Sequence, residues 1–400
     1  MIPAARVQAA IEILDLVIAA AREAGPAADT VIASYFKTRR YAGSKDRRAV
    51  RDLVYRAIRR AGERPASGRA AMLGLASEDV DLKDLFTGEG HAPAMIGEGE
   101  AIAPAGLAPG WLMERLSASL SSQEMTGLLD RAPLDLRVNR LKADRDAVLA
   151  AFPGAQPTPF SPDGLRFMEA FPIEDHPLYR DGSVEVQDEG SQLIARACKA
   201  EPGMTVVDLC AGAGGKTLAL AAAMAMQIQG RLEGRLVACD TDRARLARLG
   251  PRAVRAGATG IEQRLLDPGR EEAALADLAG TADVVLVDAP CSGSGTWRRN
   301  PESRWRLTPE RLERLTALQA RLLSVAARLV KPGGRLVYAV CSLLGEEGGE
   351  QIEAFLADHP GWRVEDPGIA AGRPAGSGRL LTPASDHTDG FFIASLSSPC

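Results

Sequence analysis

From about residue 181 onward, short runs of branched apolar residues alternate with stretches of helical spacing. Val206-Val207, Leu236-Val237-Ala238, Val284 to Val287 and Leu336 to Ala339 are such runs, and helical patterns separate most of them. Strand–helix alternation of this kind predicts an α/β fold built on a parallel, doubly wound sheet. Two further regions precede it. Residues 129–180 read as a small α/β module, with Leu134, Leu136 and Val138 alternating as in a strand and Leu141 to Phe152 at helical spacing. Residues 1–128 read as all-helical. Their first helix carries Ile11, Leu14 and Val17 and stops at Gly25-Pro26. Three domains in 400 residues is an ordinary density.

Several function classes drop out early. No run of roughly 18 uncharged apolar residues exists, which speaks against a membrane-spanning helix. The start lacks the basic end and clean apolar run of a secretion signal, so a cytoplasmic location is expected. The six cysteines (Cys198, Cys210, Cys239, Cys291, Cys341 and Cys400) form no C-x-x-C pair, and there are four histidines. Neither a metal site nor a disulfide framework is expected. Net charge is −4, yet the segment from Tyr35 to Arg64 holds eleven Lys or Arg against three acidic residues. Arg39, Arg40, Lys45, Arg47 and Arg48 lie in this block, which fits phosphate contact or, equally, a solvated helix face.

The first strand of the large sheet runs into Asp208-Leu209-Cys210-Ala211-Gly212-Ala213-Gly214-Gly215-Lys216-Thr217. A glycine-rich turn between strand and helix lets a ligand approach the backbone closely. Gly215-Lys216-Thr217 matches the end of a P-loop, but Cys210 stands where its first glycine belongs. Gly212 and Gly214 match a dinucleotide turn, but Thr217 replaces its last glycine. A purely structural turn stays open as well. Asp240, at the end of the next strand, suits a carboxylate on ribose hydroxyls. Asp267 and Asp288 follow two more strands, and three acids at successive strand ends are poorly explained as helix caps.

Asp288 opens the run Ala289-Pro290-Cys291-Ser292-Gly293-Ser294-Gly295-Thr296, followed by Trp297-Arg298-Arg299 and Arg304-Trp305-Arg306. Arg and Trp together suit RNA phosphates and stacked bases, or ordinary packing. A further strand after Lys331-Pro332-Gly333-Gly334, read as a turn, leads into Cys341. Two cysteines therefore stand at the carboxyl ends of two candidate neighbouring strands, the edge where doubly wound sheets bind ligands.

DLCAGAGGKT, VDAPCSGSGTWRRNPESRW, KPGGRLVYAVCSLLGEEG and LTPASDHTDGFFIASL resemble, in order, the motifs of the Sun-type (Fmu) family of RNA cytosine-C5 methyltransferases. The match spans roughly 130–400, with Ala213 and Val340 where many members carry Pro and Thr. The basic N-terminal segment resembles the NusB-like RNA-binding domain of the bacterial branch that modifies 16S ribosomal RNA. The resemblance implies a Rossmann-like methyltransferase domain using S-adenosyl-L-methionine, held by Cys210 to Lys216 with Asp240, Arg245, Asp267 and Asp288. It implies Cys341 as the nucleophile, Cys291 for proton loss and release, Asp288 on the base, and Lys216 beside Asp288 or the substrate. Spacing alone does not rank the two cysteines, and in the related DNA enzymes the Pro-Cys cysteine is the nucleophile. RNA is the expected partner, with Arg298 and Arg299 joining the basic block, and a monomer is expected. Transfer RNA as substrate, a P-loop hydrolase and a non-catalytic RNA-binding factor are the alternatives.

Overall fold

The structure, a computed structural model, describes residues 1–23, 25–225 and 231–400. It divides into two compact units, Met1–Asp130 with Thr296–Pro309, and Arg131–Gly295 with Glu310–Cys400.

The first unit is helical. Its helices include Pro3–Arg22, Ala28–Lys37, Ser44–Arg60, Gly68–Ala76 and Gly110–Ser119. Pro3 starts the first helix where a missing N–H is harmless. Val7, Ile11, Leu14 and Ile18 form its buried stripe at helical spacing. Helix Gly68–Ala76 crosses it closely, and a Cβ on Gly68 would lie 2.2 Å from the Ile11 carbonyl oxygen.

Residues 296–309 belong to this unit, although their sequence neighbours form the large sheet. The reason is a helix end. The last carbonyls of any helix lack partners within it. Here Arg304 Nη2 donates to the carbonyls of Ile58 at 2.6 Å, Ala61 at 2.8 Å and Arg59 at 3.2 Å. Trp305 Nε1 donates to Ala61 O at 3.0 Å, and its ring joins the helical core.

The second unit carries two sheets. The smaller holds β1 (Leu134–Val138), β2 (Gln156–Pro157), β3 (Gly164–Phe167) and β4 (Val184–Val186), in the order β2-β3-β1-β4. β4 lies beyond position 180, because Val184 and Val186 complete the pairing of Val138 and Leu136. The helical spacing over 141–152 yields the shorter helix Arg145–Ala150, whose start Asp144 caps by accepting the Ala147 N–H.

The larger sheet holds β5 (Thr205–Asp208), β6 (Arg235–Asp240), β7 (Glu262–Leu265), β8 (Ala282–Asp288), β9 (Val330–Val340), β10 (Arg363–Glu365), β11 (Arg373–Ala375), β12 (Gly378–Leu381) and β13 (Phe391–Ser397). Their order is β11-β12-β13-β9-β8-β5-β6-β7, with β10 on β13. β5 to β9 are mutually parallel, and β13 runs antiparallel to β9. The chain winds outward from β5 through β6 to β7, then returns to the other side of β5 for β8 and β9. That reversal opens a crevice at the carboxyl ends of β5 and β8, where such sheets bind ligands. The expected turn at Lys331–Gly334 is instead an excursion within β9, where Gly333 takes φ +69° and the register to β8 shifts. Among the described residues no helix is long and apolar enough to cross a membrane.

Candidate active site

The glycine turn leaves β5 at Asp208 and enters helix Gly215–Ala223. Gly212 and Gly214 take φ +55° and +84°, a region that favours glycine. Space excludes a side chain too. A Cβ on Gly214 would lie 2.2 Å from Leu249 Cδ1, and one on Gly212 would lie 2.7 Å from Arg245 Nη2. Arg245 therefore lies over the turn. Asp240 fastens it, with Oδ2 accepting the Gly212 N–H and Oδ1 the Asp242 N–H, both at 2.7 Å. Cys239 O accepts the Ala211 N–H at 2.8 Å. Ala211 is buried, while Cys210, Ala213, Gly215 and Lys216 stay partly open. Asp267 stands exposed two positions past β7. A close backbone turn followed by carboxylates at successive strand ends fits a ligand carrying ribose hydroxyls and a positive centre.

Parallel pairing sets Asp288 of β8 beside Ala339 of β9. The two strands therefore deliver Cys291 and Cys341 to one place, and their Sγ atoms are 3.3 Å apart. Lys216 Nζ reaches Asp288 Oδ2 at 2.6 Å and lies 5.9 Å from the Phe391 ring centroid. Burial opposes the Lys216 charge, but Asp288 outweighs it and, with Cys341 and Asp208 adding, holds the ammonium above its usual range. The contact with Cys341, burial and the Glu347 charge push the Cys291 thiol well up. The P-loop match fails in geometry. Lys216 is paired to Asp288, and the buried Thr217 hydroxyl donates to Asp208 Oδ2 at 2.7 Å, so both are turned to carboxylates.

Behind the thiols lies Glu347, a fully buried carboxylate that sequence reasoning passed over. Oε1 accepts the Ser292 N–H at 2.8 Å and Gln319 Nε2 at 3.0 Å, and Oε2 accepts the Ser342 hydroxyl at 2.5 Å. The sign in the sequence was Gln319, a polar residue on the buried stripe between Leu312 and Leu322 of helix Pro309–Leu329.

The expected RNA contacts are distributed unevenly. Arg40, Lys45, Arg47 and Arg48 are exposed around the start of helix Ser44–Arg60. Arg39 stacks 3.6 Å over the Tyr35 ring. Arg298 keeps 6% exposure, and Trp297 and Trp305 are buried at 1% and 2%, so the Arg-Trp run is largely packed inside. Arg299 is half-buried.

Residues 195–397 match the family described as 16S rRNA methyltransferase RsmB/F. The chain belongs to this family. It is 37% identical to the probable ribosomal RNA small subunit methyltransferase B of Synechocystis sp., over 72% of this chain and 66% of that protein. It is 36% identical to the ribosomal RNA small subunit methyltransferase B of Xylella fastidiosa, over 72% of this chain and 68% of that one. The chain thus spans about two thirds of the length of these RsmB/F relatives. Among solved structures, PH0851 superposes with a TM-score of 0.78 at 26% identity, covering 99% of both chains. NSun6 from Pyrococcus horikoshii with SFG gives 0.65 at 19% identity over 72% of this chain and 98% of that one, a likeness of fold.

Proposed function

We propose that this RsmB/F member transfers a methyl group from S-adenosylmethionine to carbon 5 of a cytosine in 16S ribosomal RNA, through a transient bond between Cys341 and the base. The observation that carries the reading is the thiol pair at 3.3 Å with Lys216–Asp288 at the same strand ends.

S-adenosylmethionine is the cofactor, and when bound it supplies an electrophilic methyl group. Cys210 to Gly215 would line it, with Arg245 over the turn and Asp240 and Asp267 toward its ribose and adenine. Carbon 5 of cytosine is a poor nucleophile. Addition of the Cys341 sulfur to carbon 6 breaks the ring's aromaticity and moves electron density to carbon 5, a form of covalent catalysis. Asp288, steadied by Lys216, holds the N3 edge of the base. Once carbon 5 is methylated, Cys291, as the thiolate left when its own proton has passed to solvent, takes the carbon 5 proton. The electron pair of that C–H bond restores the 5,6 double bond as the bond from Cys341 to carbon 6 breaks. The target base must be unpaired or flipped out. We read the helical unit as a NusB-like RNA-binding domain, and the whole as a cytoplasmic monomer.

Two variants test this. Cys341→Ala is expected to lose methyl transfer to unmodified 16S RNA while retaining cofactor binding. Cys291→Ala is expected to accumulate a protein–RNA species that survives denaturing electrophoresis. Full transfer by Cys341→Ala overturns the assignment. Bisulfite mapping of the product RNA reads the modified base.

A further inference from the structure

We infer that Glu347 is a positioning residue that clasps the Cys291 and Cys341 loops together and fixes the relative placement of the two sulfurs. The inference rests on the reading above for its catalytic meaning, and on geometry for the clasp itself.

The two cysteines lie 50 positions apart, on loops that leave neighbouring strands. Beyond the strand ends at Asp288 and Val340 the backbone ties are Ala289 N–H to Ala339 O at 2.9 Å and Gly295 N–H to Cys341 O at 3.1 Å. Glu347 adds a buried side-chain tie to both residues that follow the cysteines. One oxygen takes the N–H of Ser292, the residue after Cys291; the other takes the hydroxyl of Ser342, the residue after Cys341. Gln319 closes a third side, donating through Nε2 both to Glu347 Oε1 at 3.0 Å and to Pro290 O at 2.9 Å. Tyr338, inside β9, donates its hydroxyl to Glu347 O at 2.7 Å and fixes the backbone of the acid. A serine cluster extends the tie. Ser342 Oγ lies 3.1 Å from both Ser292 Oγ and Ser294 Oγ, and Ser294 Oγ accepts the Leu343 N–H at 2.8 Å. The carboxylate thereby joins both loops and the helix behind them, and the backbone carbonyl of the same residue joins the strand beneath.

A carboxylate is suited to this place because it accepts on both oxygens. A glutamine there presents an N–H₂ to groups that are already donors, and one of the three bonds is lost. The position is also electrostatically asymmetric. Cys341 and Glu347 both act on Cys291 to raise its thiol, while Lys216 is tied to Asp288. Removing the Glu347 charge removes one of the groups that push the Cys291 thiol up, so the thiol should ionise more readily.

The test uses full-length Glu347→Gln, Glu347→Asp and Ser342→Ala. Misplacing a reacting group by about 1 Å costs roughly a hundredfold, so Glu347→Gln is expected to lower kcat by about that factor, with KM for S-adenosylmethionine within about twofold of the parent. Glu347→Asp retains the charge and should recover part of the rate. Ser342→Ala, missing one of the three donors, should fall between. The second readout needs no methyl transfer. In a Cys341→Ser background, iodoacetamide alkylation of Cys291 should shift to lower pH in Glu347→Gln and stay in place in Ser342→Ala. An unshifted alkylation profile together with an unchanged kcat overturns the inference, as does a kcat loss matched by an equal loss of cofactor affinity. If the parent methylates no cytosine yet the alkylation profile shifts, the clasp stands and the proposed reaction falls.

Discussion

Asp208 carries the least compensated charge at the foot of the glycine turn. It is fully buried, and its Oδ2 accepts the Thr217 hydroxyl at 2.7 Å. Burial, with the charge of Asp288 behind it, pushes its carboxyl up to about 7 against the Thr217 bond. The unfolded chain releases this proton near pH ~4. Between those values the folded state binds more protons than the unfolded state, so stability falls as pH rises through the window. The penalty is complete above it. Asp208→Asn keeps the volume and an acceptor for Thr217 and removes the dependence. The variant is therefore expected to match the parent at pH ~4 and to exceed it by about 4 kcal/mol at pH ~8. Urea unfolding at the two pH values decides this, and equal stability differences at both would show that the carboxyl titrates normally.

At the scale of elements, the end of helix Ser44–Arg60 depends on residues some 245 positions away. Arg304 is fully buried, and burial lowers its guanidinium to about 9. Its Nη2 satisfies three carbonyls at once. Arg304→Leu preserves apolar bulk but strands those acceptors, and buried unpaired polar groups cost about 1–3 kcal/mol each before relaxation. A loss of about 2–4 kcal/mol is expected for the first unit, with faster amide exchange over the last turn of the helix. Trp305→Phe removes one donor to Ala61 and should cost about 1 kcal/mol. Unchanged exchange in Arg304→Leu would show that solvent caps this helix end. The same contacts explain what the sequence revealed and what it hid. Strands and helices that bury their own periodic faces were legible, as at Val284 to Val287 and in the first helix. The positions of the glycine turn and the two strand-end cysteines were legible because each lies in a short local motif at the end of a strand. The Arg-Trp run was ambiguous, since the residue types that stack on RNA also fill a core, and only long-range contacts place Trp305 inside. Glu347 was hidden because its partners Ser292, Gln319 and Ser342 come from three separate elements. β4 was hidden because its pairing partner, β1, lies nearly 50 residues upstream.

At the scale of the whole molecule, a net charge of −4 gives no general attraction to RNA, so the proposed RNA binding rests on local clusters. Much of the basic block is internally committed. Arg51 pairs with Asp29, Arg56 with Asp79, and Arg60 with Glu78 and the Ala103 carbonyl. Arg40, Lys45 and Arg48 remain exposed around the start of helix Ser44–Arg60, and the proposed phosphate contact falls to them. Each phosphate contact contributes about 0.7 to 0.9 to the slope of log affinity against log salt. Replacing all three by Gln should therefore flatten that slope by about two to three. Phosphate contacts carry no sequence information, so the loss should be equal for cognate and unrelated RNA. Cofactor affinity, set in the second unit, should not change. Filter binding across a salt series, on RNA with and without the target cytosine, measures both slopes. A slope left unchanged would move the RNA contact away from this patch, and a loss confined to cognate RNA would make these side chains readers of bases instead of phosphates.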